Sequence, residues 1–247
     1  MYFEKIEKLK LNIIGMFFII YLIIAFIGFY LAKLFLKPIK EERIKLNNFI
    51  KDTTHELNTP ISAILMSTEN KTLSEKQIER VRISAKRVSD IYSDLTYLFL
   101  ENKEIIKDIQ IYNLKDLINE QMEYLDLIAT KKRVKINKNI EDFEYKIDKN
   151  DFIRIFNNLV SNAIKYNKMN GTIDVSLKNS ELKISDSGIG IEKEKLNDIY
   201  KRYYRATKEQ GGFGIGLNIV NDICSFYKIK IIVESQINKG TTFSLTF

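Results

Sequence analysis

From Leu11 to Ala32 the chain carries no charged residue. That stretch, LNIIGMFFIIYLIIAFIGFYLA, is 22 residues long, and as a helix it would extend about 33 Å at 1.5 Å per residue, enough to cross the hydrocarbon of a bilayer. A cleavable leader would be shorter and followed by small residues, whereas this run continues through Lys33, aromatic and aliphatic residues, and Lys37. A buried core helix is the competing fate, but an apolar run with no polar face has little place in a soluble domain. The sequence therefore predicts a retained, single-pass transmembrane helix over 11–36, behind a short segment 1–10. Lys33, Lys37, Lys40, Arg43 and Lys45 follow the run, against Lys5, Lys8 and Lys10 before it. That bias places the carboxyl side in the cytoplasm and the chain in the cell's inner, cytoplasmic membrane. With so few residues ahead of the span, a folded outer sensor is not expected, so a signal would be read in the membrane, by a partner or in the cytoplasm.

Beyond the span, the 247-residue chain has room for one or two domains. A single cysteine, Cys224, rules out an internal disulfide, and a single histidine, His55, rules out metal sites built from several histidines. The net charge of +7 is spread along the chain with no basic run, which argues against a nucleic-acid partner.

The next segments read as helices. Leu46, Ile50, Thr53, Leu57, Pro60 and Ile64 recur at steps of three and four. After a polar loop at 69–73, Ile78, Val81, Ala85, Val88, Tyr92, Leu95 and Phe99 do the same. Ser74 and Gln77 form a capping box for the second helix. Two such helices bury little alone, so a helical hairpin over 49–102 that dimerises into a four-helix bundle is the economical solution. A linker helix over 37–48 joins it to the span and is too short for a two-helix relay, so the membrane helix is expected to run almost directly into the first hairpin helix. His55 lies off the first seam and should face solvent. Glu56 beside it supplies a carboxylate, Thr59 a hydroxyl one turn on, and Pro60 removes a backbone donor.

FIKDTTHELNTPISAI, from Phe49 to Ile64, resembles the phosphoacceptor box of sensor histidine kinases, whose usual core is His-Glu-Leu-Arg-Thr-Pro. Asn58 stands here in place of the usual arginine. From Ile109 the pattern changes to short strand-like runs (109–112, 134–137, 145–147, 172–177, 182–185, 229–235 and 242–247) among helices. This predicts a two-layer α/β sandwich over 109–247. A helix over about 150–166 carries Asn158 and Asn162 four apart on one face, and asparagine oxygen is a hard, neutral donor suited to Mg²⁺. DSGIGI (Asp186 to Ile191) follows a strand, and GGFGIGLNIV (Gly211 to Val220) opens a helix whose N-terminal amides favour phosphate. Each motif alone is weak. The ordered set, closed by GTTFSLTF, resembles the boxes of the Bergerat ATP-binding fold shared by histidine kinases, gyrase, Hsp90 and MutL proteins.

The resemblance implies roles. Asn162 would bind Mg²⁺, Asn158 would assist at the phosphates of ATP, Lys165 would reach phosphate and Tyr166 would pack near the nucleotide. Asp186 would accept a hydrogen bond from the adenine amino group, with Gly188 and Gly190 shaping that wall. Gly212, Gly214 and Gly216 would anchor the phosphate-facing end of a lid over 192–210, and Leu217 belongs to the same nucleotide-binding set. Arg202 and Arg205, within IYKRYYRA, would serve the γ-phosphate region. Phe213 stands where the family has a small residue. ATP-hydrolysing members carry a glutamate four residues before the metal asparagine, where this chain has Asn158. The resemblance thus implies autophosphorylation of His55 with Glu56 as base. Transfer would then go to an aspartate of a cognate response regulator, and Thr59 would support dephosphorylation of that partner. A hydrolytic ATPase of the same fold and a non-catalytic or phosphatase-dominant membrane scaffold are the alternatives.

Overall fold

A computed structural model of the chain describes residues 2–69, 73–100, 107–207 and 214–247. It divides into two compact units, Met1–Ile50 and Lys51–Phe247. The first unit belongs to helix α1 (Tyr2–Ser67). Every residue of 11–36 is helical and exposed, which is what an apolar stretch without a protein partner must be. Among the described residues there is one helix long and apolar enough, by length and composition, to cross a membrane.

The second unit opens with the rest of α1 and with α2 (Glu75–Leu100). The capping box forms as the sequence implies. Ser74 N donates to Gln77 Oε1 at 2.9 Å and Gln77 N to Ser74 Oγ at 3.4 Å, while Gln77 Nε2 reaches the Ser67 carbonyl at 3.3 Å. On α1 the inward positions include Leu57, Pro60 and Ile64, as the period predicts. On α2 the buried positions are Ser84 and Ile91, one residue before the expected Ala85 and Tyr92, and Tyr92 is 71% exposed. On another side of α2 the α/β domain makes contact, where Arg154 Nη2 donates to Ser93 Oγ at 2.9 Å. Ile61, Leu65, Met66, Ile78 and Tyr92 are left as exposed apolar side chains on the hairpin. The side chain of Phe99 lies outside the described residues.

The remaining elements are β1 (Ile109–Asn113), α3 (Leu114–Lys131), β2 (Lys135–Ile140), β3 (Glu144–Asp148), α4 (Lys149–Lys165), β4 (Thr172–Lys178), β5 (Glu181–Asp186), α5 (Gly216–Tyr227), β6 (Lys230–Gln236) and β7 (Gly240–Thr246). All seven expected strands form. β2 runs on to Ile140, past the expected Asn137, because its polar residues continue the parallel register with β4 as far as Ile140 opposite Leu177. The main sheet has the order β2-β4-β5-β7-β6, and β1 pairs antiparallel with β3 in a separate ribbon. Alternation along the strands (Ile173, Val175 and Leu177; Leu182 and Ile184; Phe243 and Leu245) gives one buried face. Ile118, Met122 and Leu125 of α3, Phe152, Ile155, Phe156 and Leu159 of α4, and Ile219, Val220 and Ile223 of α5 complete the core. The result is a helix layer on a sheet layer. Two side chains start the helices. Asn113 Oδ1 accepts from Lys115 N at 3.0 Å and Asp148 Oδ1 from Asn150 N at 2.8 Å, each satisfying amides with no intrahelical partner.

Candidate active site

The nucleotide side is built on the carboxyl-terminal half of α4 and the turn after β5. Asn158 and Asn162 are one turn apart on α4, and Asn158 Nδ2 donates to the Arg154 carbonyl at 3.0 Å, which fixes the amide's orientation. Gly216, the first residue of α5, lies so close that a Cβ there would overlap Asn158 Oδ1. The start of one helix and the asparagine face of another therefore line a single place, and Leu217 sits half-buried beside them.

Asp186 closes β5. Its Oδ1 accepts from Gly188 N at 2.8 Å and from Thr241 N at 3.3 Å, and burial holds the carboxyl above its ordinary range despite those two bonds. The turn that follows is pinned on both sides. Ile189 N donates to the Tyr166 carbonyl at 3.1 Å, and Asn238 N donates to the Ile189 carbonyl at 2.8 Å. A Cβ at Gly188 would overlap the Tyr166 carbonyl, and Gly190 adopts φ +70° against the Gln236 carbonyl. Both positions need glycine for a stated reason, close approach in one case and a left-handed backbone in the other. Gly214, with φ +67°, packs against the backbone of Tyr203 and Tyr204. Gly212 and Phe213 lie outside the described residues.

Cations gather where α4 ends. Burial is the largest influence on Lys165 and lowers it to about 8; Glu56 opposes this, while Arg87, Arg205 and Lys132 add to it. Lys132 Nζ donates to the Lys165 carbonyl, and Lys165 Nζ lies 5.1 Å from the Tyr166 ring centre. Burial likewise raises Tyr166, which also feels Arg205 and Glu56. The two lid arginines part company. Arg205 Nη1 meets Asp52 Oδ2 of α1 at 2.9 Å, whereas Arg202 Nε donates to Asn218 Oδ1 of α5 at 3.1 Å.

On the acceptor side, His55 is exposed on α1 and shares a shallow groove with Asn58, Thr59, Ser62, Met66 and Arg80. Thr59 Oγ1 donates to the His55 carbonyl at 3.2 Å. Glu56 turns the other way and pairs with Arg87 Nη2 of α2 at 3.0 Å. The structure thus brings Lys165, Tyr166 and Arg205 toward Asp52 and Glu56, while His55 lies on a neighbouring face.

Several of these residues escape the motif reading: Asp52, Arg87, Asp94, Lys132 and Arg154. Arg154, one turn before Asn158, stacks 4.9 Å from the Tyr97 ring centre and bonds Ser93. Asp94 is pushed up to about 6 by burial, against Arg154 and a hydrogen bond from Asn158. A spacing of four from Asn158, or of three from His55, was the available signal, but the partner in each case sits in a distant segment.

The donor set fits a magnesium nucleotide: two neutral amides for a hard cation, a helix start and converging lysine and arginine for phosphate, and a carboxylate in a glycine-shaped wall for a base edge. Comparison with known proteins agrees with this geometry. Residues 147–247 match the family described as histidine kinase-, DNA gyrase B- and HSP90-like ATPase, and residues 45–102 match the His Kinase A phospho-acceptor domain. The sensor histidine kinase RppB of Synechocystis is 27% identical over 98% of this chain and 58% of its own length. The signal transduction histidine-protein kinase ArlS of Staphylococcus aureus is 30% identical over 86% of this chain and 51% of its own. The chain thus spans about half the length of the curated relatives it matches. The fold also resembles the histidine kinase ThkA solved in complex with the response regulator protein TrrA, with TM-score 0.51, 20% identity, and coverage of 87% of this chain and 64% of that one. With a phosphoacceptor domain joined to an ATP-binding domain, the chain belongs to the two-component sensor histidine kinases.

Proposed function

We propose that this chain transfers the γ-phosphoryl group of ATP to His55 and passes it on to an aspartate of a response regulator. The observation that carries the reading is the contact of Arg205, a cation of the ATP domain, with Asp52 on the acceptor helix at 2.9 Å, with Lys165 near enough to feel the charge of Glu56. A lone pair on an imidazole nitrogen of His55 forms the new N–P bond, the bond from the γ-phosphorus to the β,γ-bridging oxygen breaks, and ADP leaves. Glu56 is the candidate acceptor for the ring's other proton, and its pairing with Arg87 keeps the carboxylate on the α2 side of α1 until His55 engages. Asn162, with Asn158 beside it, would hold Mg²⁺, which neutralises charge on the phosphate oxygens. The chain's own contribution is positioning by α4 and α5 and charge from Lys165 and Arg205. Arg202, bonded to Asn218 of α5, stands apart from that pair.

His55, open to solvent in a groove lined by α1 and α2, suits a receiver docking from outside, and Thr59 beneath it supports a second activity, dephosphorylation of that partner. The exposed apolar side chains Ile61, Leu65, Met66, Ile78 and Tyr92 support a homodimer closing a four-helix bundle. The apolar helix over 11–36 supports a single-pass anchor in the cytoplasmic membrane, with both domains on the cytoplasmic side.

Incubating the protein with Mg²⁺ and ATP radiolabelled at the γ-phosphate tests the reading. Acid-labile, base-stable label on wild type and none on His55→Gln is the expected result. Label persisting in the variant would remove His55 as the acceptor. Steady release of inorganic phosphate without labelled protein would favour a hydrolytic ATPase, and neither product would favour a scaffold.

A further inference from the structure

We propose that Asp52 is a positioning residue for the transfer to His55: its carboxylate holds the lid arginine Arg205 one helical turn from the imidazole, so that one guanidinium spans the acceptor helix and the γ-phosphate. The inference rests on the kinase reading above. Its basis is geometric. Arg205 Nη1 lies 2.9 Å from Asp52 Oδ2, with the arginine side chain 16% exposed and the aspartate 35%. A pair this sheltered is screened less by solvent and salt than the exposed ion pairs elsewhere on the surface.

Asp52 and His55 are three residues apart on α1, which separates them by about 4.5 Å along the axis and about 60° around it. Side chains so spaced are neighbours on a helix surface. A cation fixed on Asp52 is therefore fixed beside His55. Arg205 also acts electrostatically on both Lys165 and Tyr166, so it lies near the end of α4 as well as against the acceptor helix. A guanidinium presents five donors in a planar fork, so a carboxylate on one edge leaves geometry for phosphate oxygens on another. Lysine would offer only a point charge and lose the span.

The transition state of phosphoryl transfer spreads charge over the equatorial oxygens, and a cation counts there only if its position is set beforehand. Without Asp52, Arg205 keeps its charge and loses its place relative to His55. Nucleotide binding, made by α4, α5 and the glycine turns, would not change. The effect should fall on the rate of transfer and leave the affinity alone.

The test uses the full chain in detergent or nanodiscs, as wild type, Asp52→Asn, Asp52→Glu and His55→Gln. Single-turnover labelling gives the transfer rate, and displacement of a fluorescent ATP analogue gives equilibrium affinity. Expected are a transfer rate in Asp52→Asn about tenfold below wild type, ATP affinity within about twofold, and recovery of most of the rate in Asp52→Glu, which retains the carboxylate. A wild-type rate in Asp52→Asn would make the pair a mere strut, and a faster rate would make it a brake; either overturns the proposal while leaving the kinase reading intact. Affinity falling in step with rate would show general damage to the site and overturn it as well. A wild type that takes no label would instead overturn the kinase reading, and this inference with it.

Discussion

Thr59 shows how much one residue can be asked to do. Its hydroxyl donates to the His55 carbonyl at 3.2 Å, one turn back along α1, while Pro60 deprives the next carbonyl of its helical donor. The hydroxyl oxygen sits on the groove side with His55, where it can orient a water toward a partner's phosphoryl group. Replacing Thr59 with alanine is predicted to leave autophosphorylation within about twofold and to abolish dephosphorylation of the phosphorylated partner; equal loss of both activities would contradict the role. Asp94 makes a different kind of prediction. Its carboxyl rises from 3.8 to about 6, with burial as the main cause. A carboxylic acid whose folded value exceeds its unfolded one binds its proton more tightly when folded. Its contribution to stability is therefore most favourable below pH 4, declines as pH rises toward 6, and is at its least above that. Urea unfolding of wild type against Asp94→Asn should show the difference between them moving against wild type by about 1 to 2 kcal/mol from about pH 4 to about pH 7.5, after allowance for solvent at the rim of the site. A difference that stays flat would mean the carboxyl is not buried as described.

At the scale of elements, the period of the sequence carried far. Strict alternation in Thr172–Lys178 and Glu181–Asp186 marks strands with one buried face, and the structure has them at those places. The asparagine pair and the glycine turns stand out equally in the sequence because they are unusual residues for their places: amides on a helix face, and glycine where Gly188 nearly touches the Tyr166 carbonyl. Gly188→Ala is predicted to push that turn off α4, costing about 2 to 4 kcal/mol of stability in thermal unfolding and most of the ATP affinity; unchanged nucleotide binding would show that the turn is not part of the site. The register of α2 was less legible. Heptad arithmetic points Ala85 and Tyr92 inward, whereas Ser84 and Ile91 are the buried ones. A period fixes which residues share a stripe, not which neighbour covers it, and in a single chain Tyr92 faces solvent on the side that a second copy would cover in the proposed bundle. The division of the two lid arginines was hidden, since their partners, Asp52 in the acceptor box and Asn218 in the second glycine group, are given no role by either motif.

For the molecule as a whole, the reading joins an ATP site whose residues suit a nucleotide, a helix that carries the chain's sole histidine, and cations that reach from one to the other. Asn158 occupies the place where a hydrolytic relative has a carboxylate base, and an amide cannot take a proton from water. Under the proposed function the phosphoryl group passes instead to a nucleophile on the protein, and His55 lies within the box that resembles a phosphoacceptor. Locating the phosphoryl group on the protein tests this most directly. After incubation with ATP and Mg²⁺, tandem mass spectrometry on peptides kept at neutral to alkaline pH is predicted to find phosphate on His55 alone, lost on brief acid treatment. Phosphate on Thr53, Thr54 or Thr59 instead, stable to acid, would contradict the account.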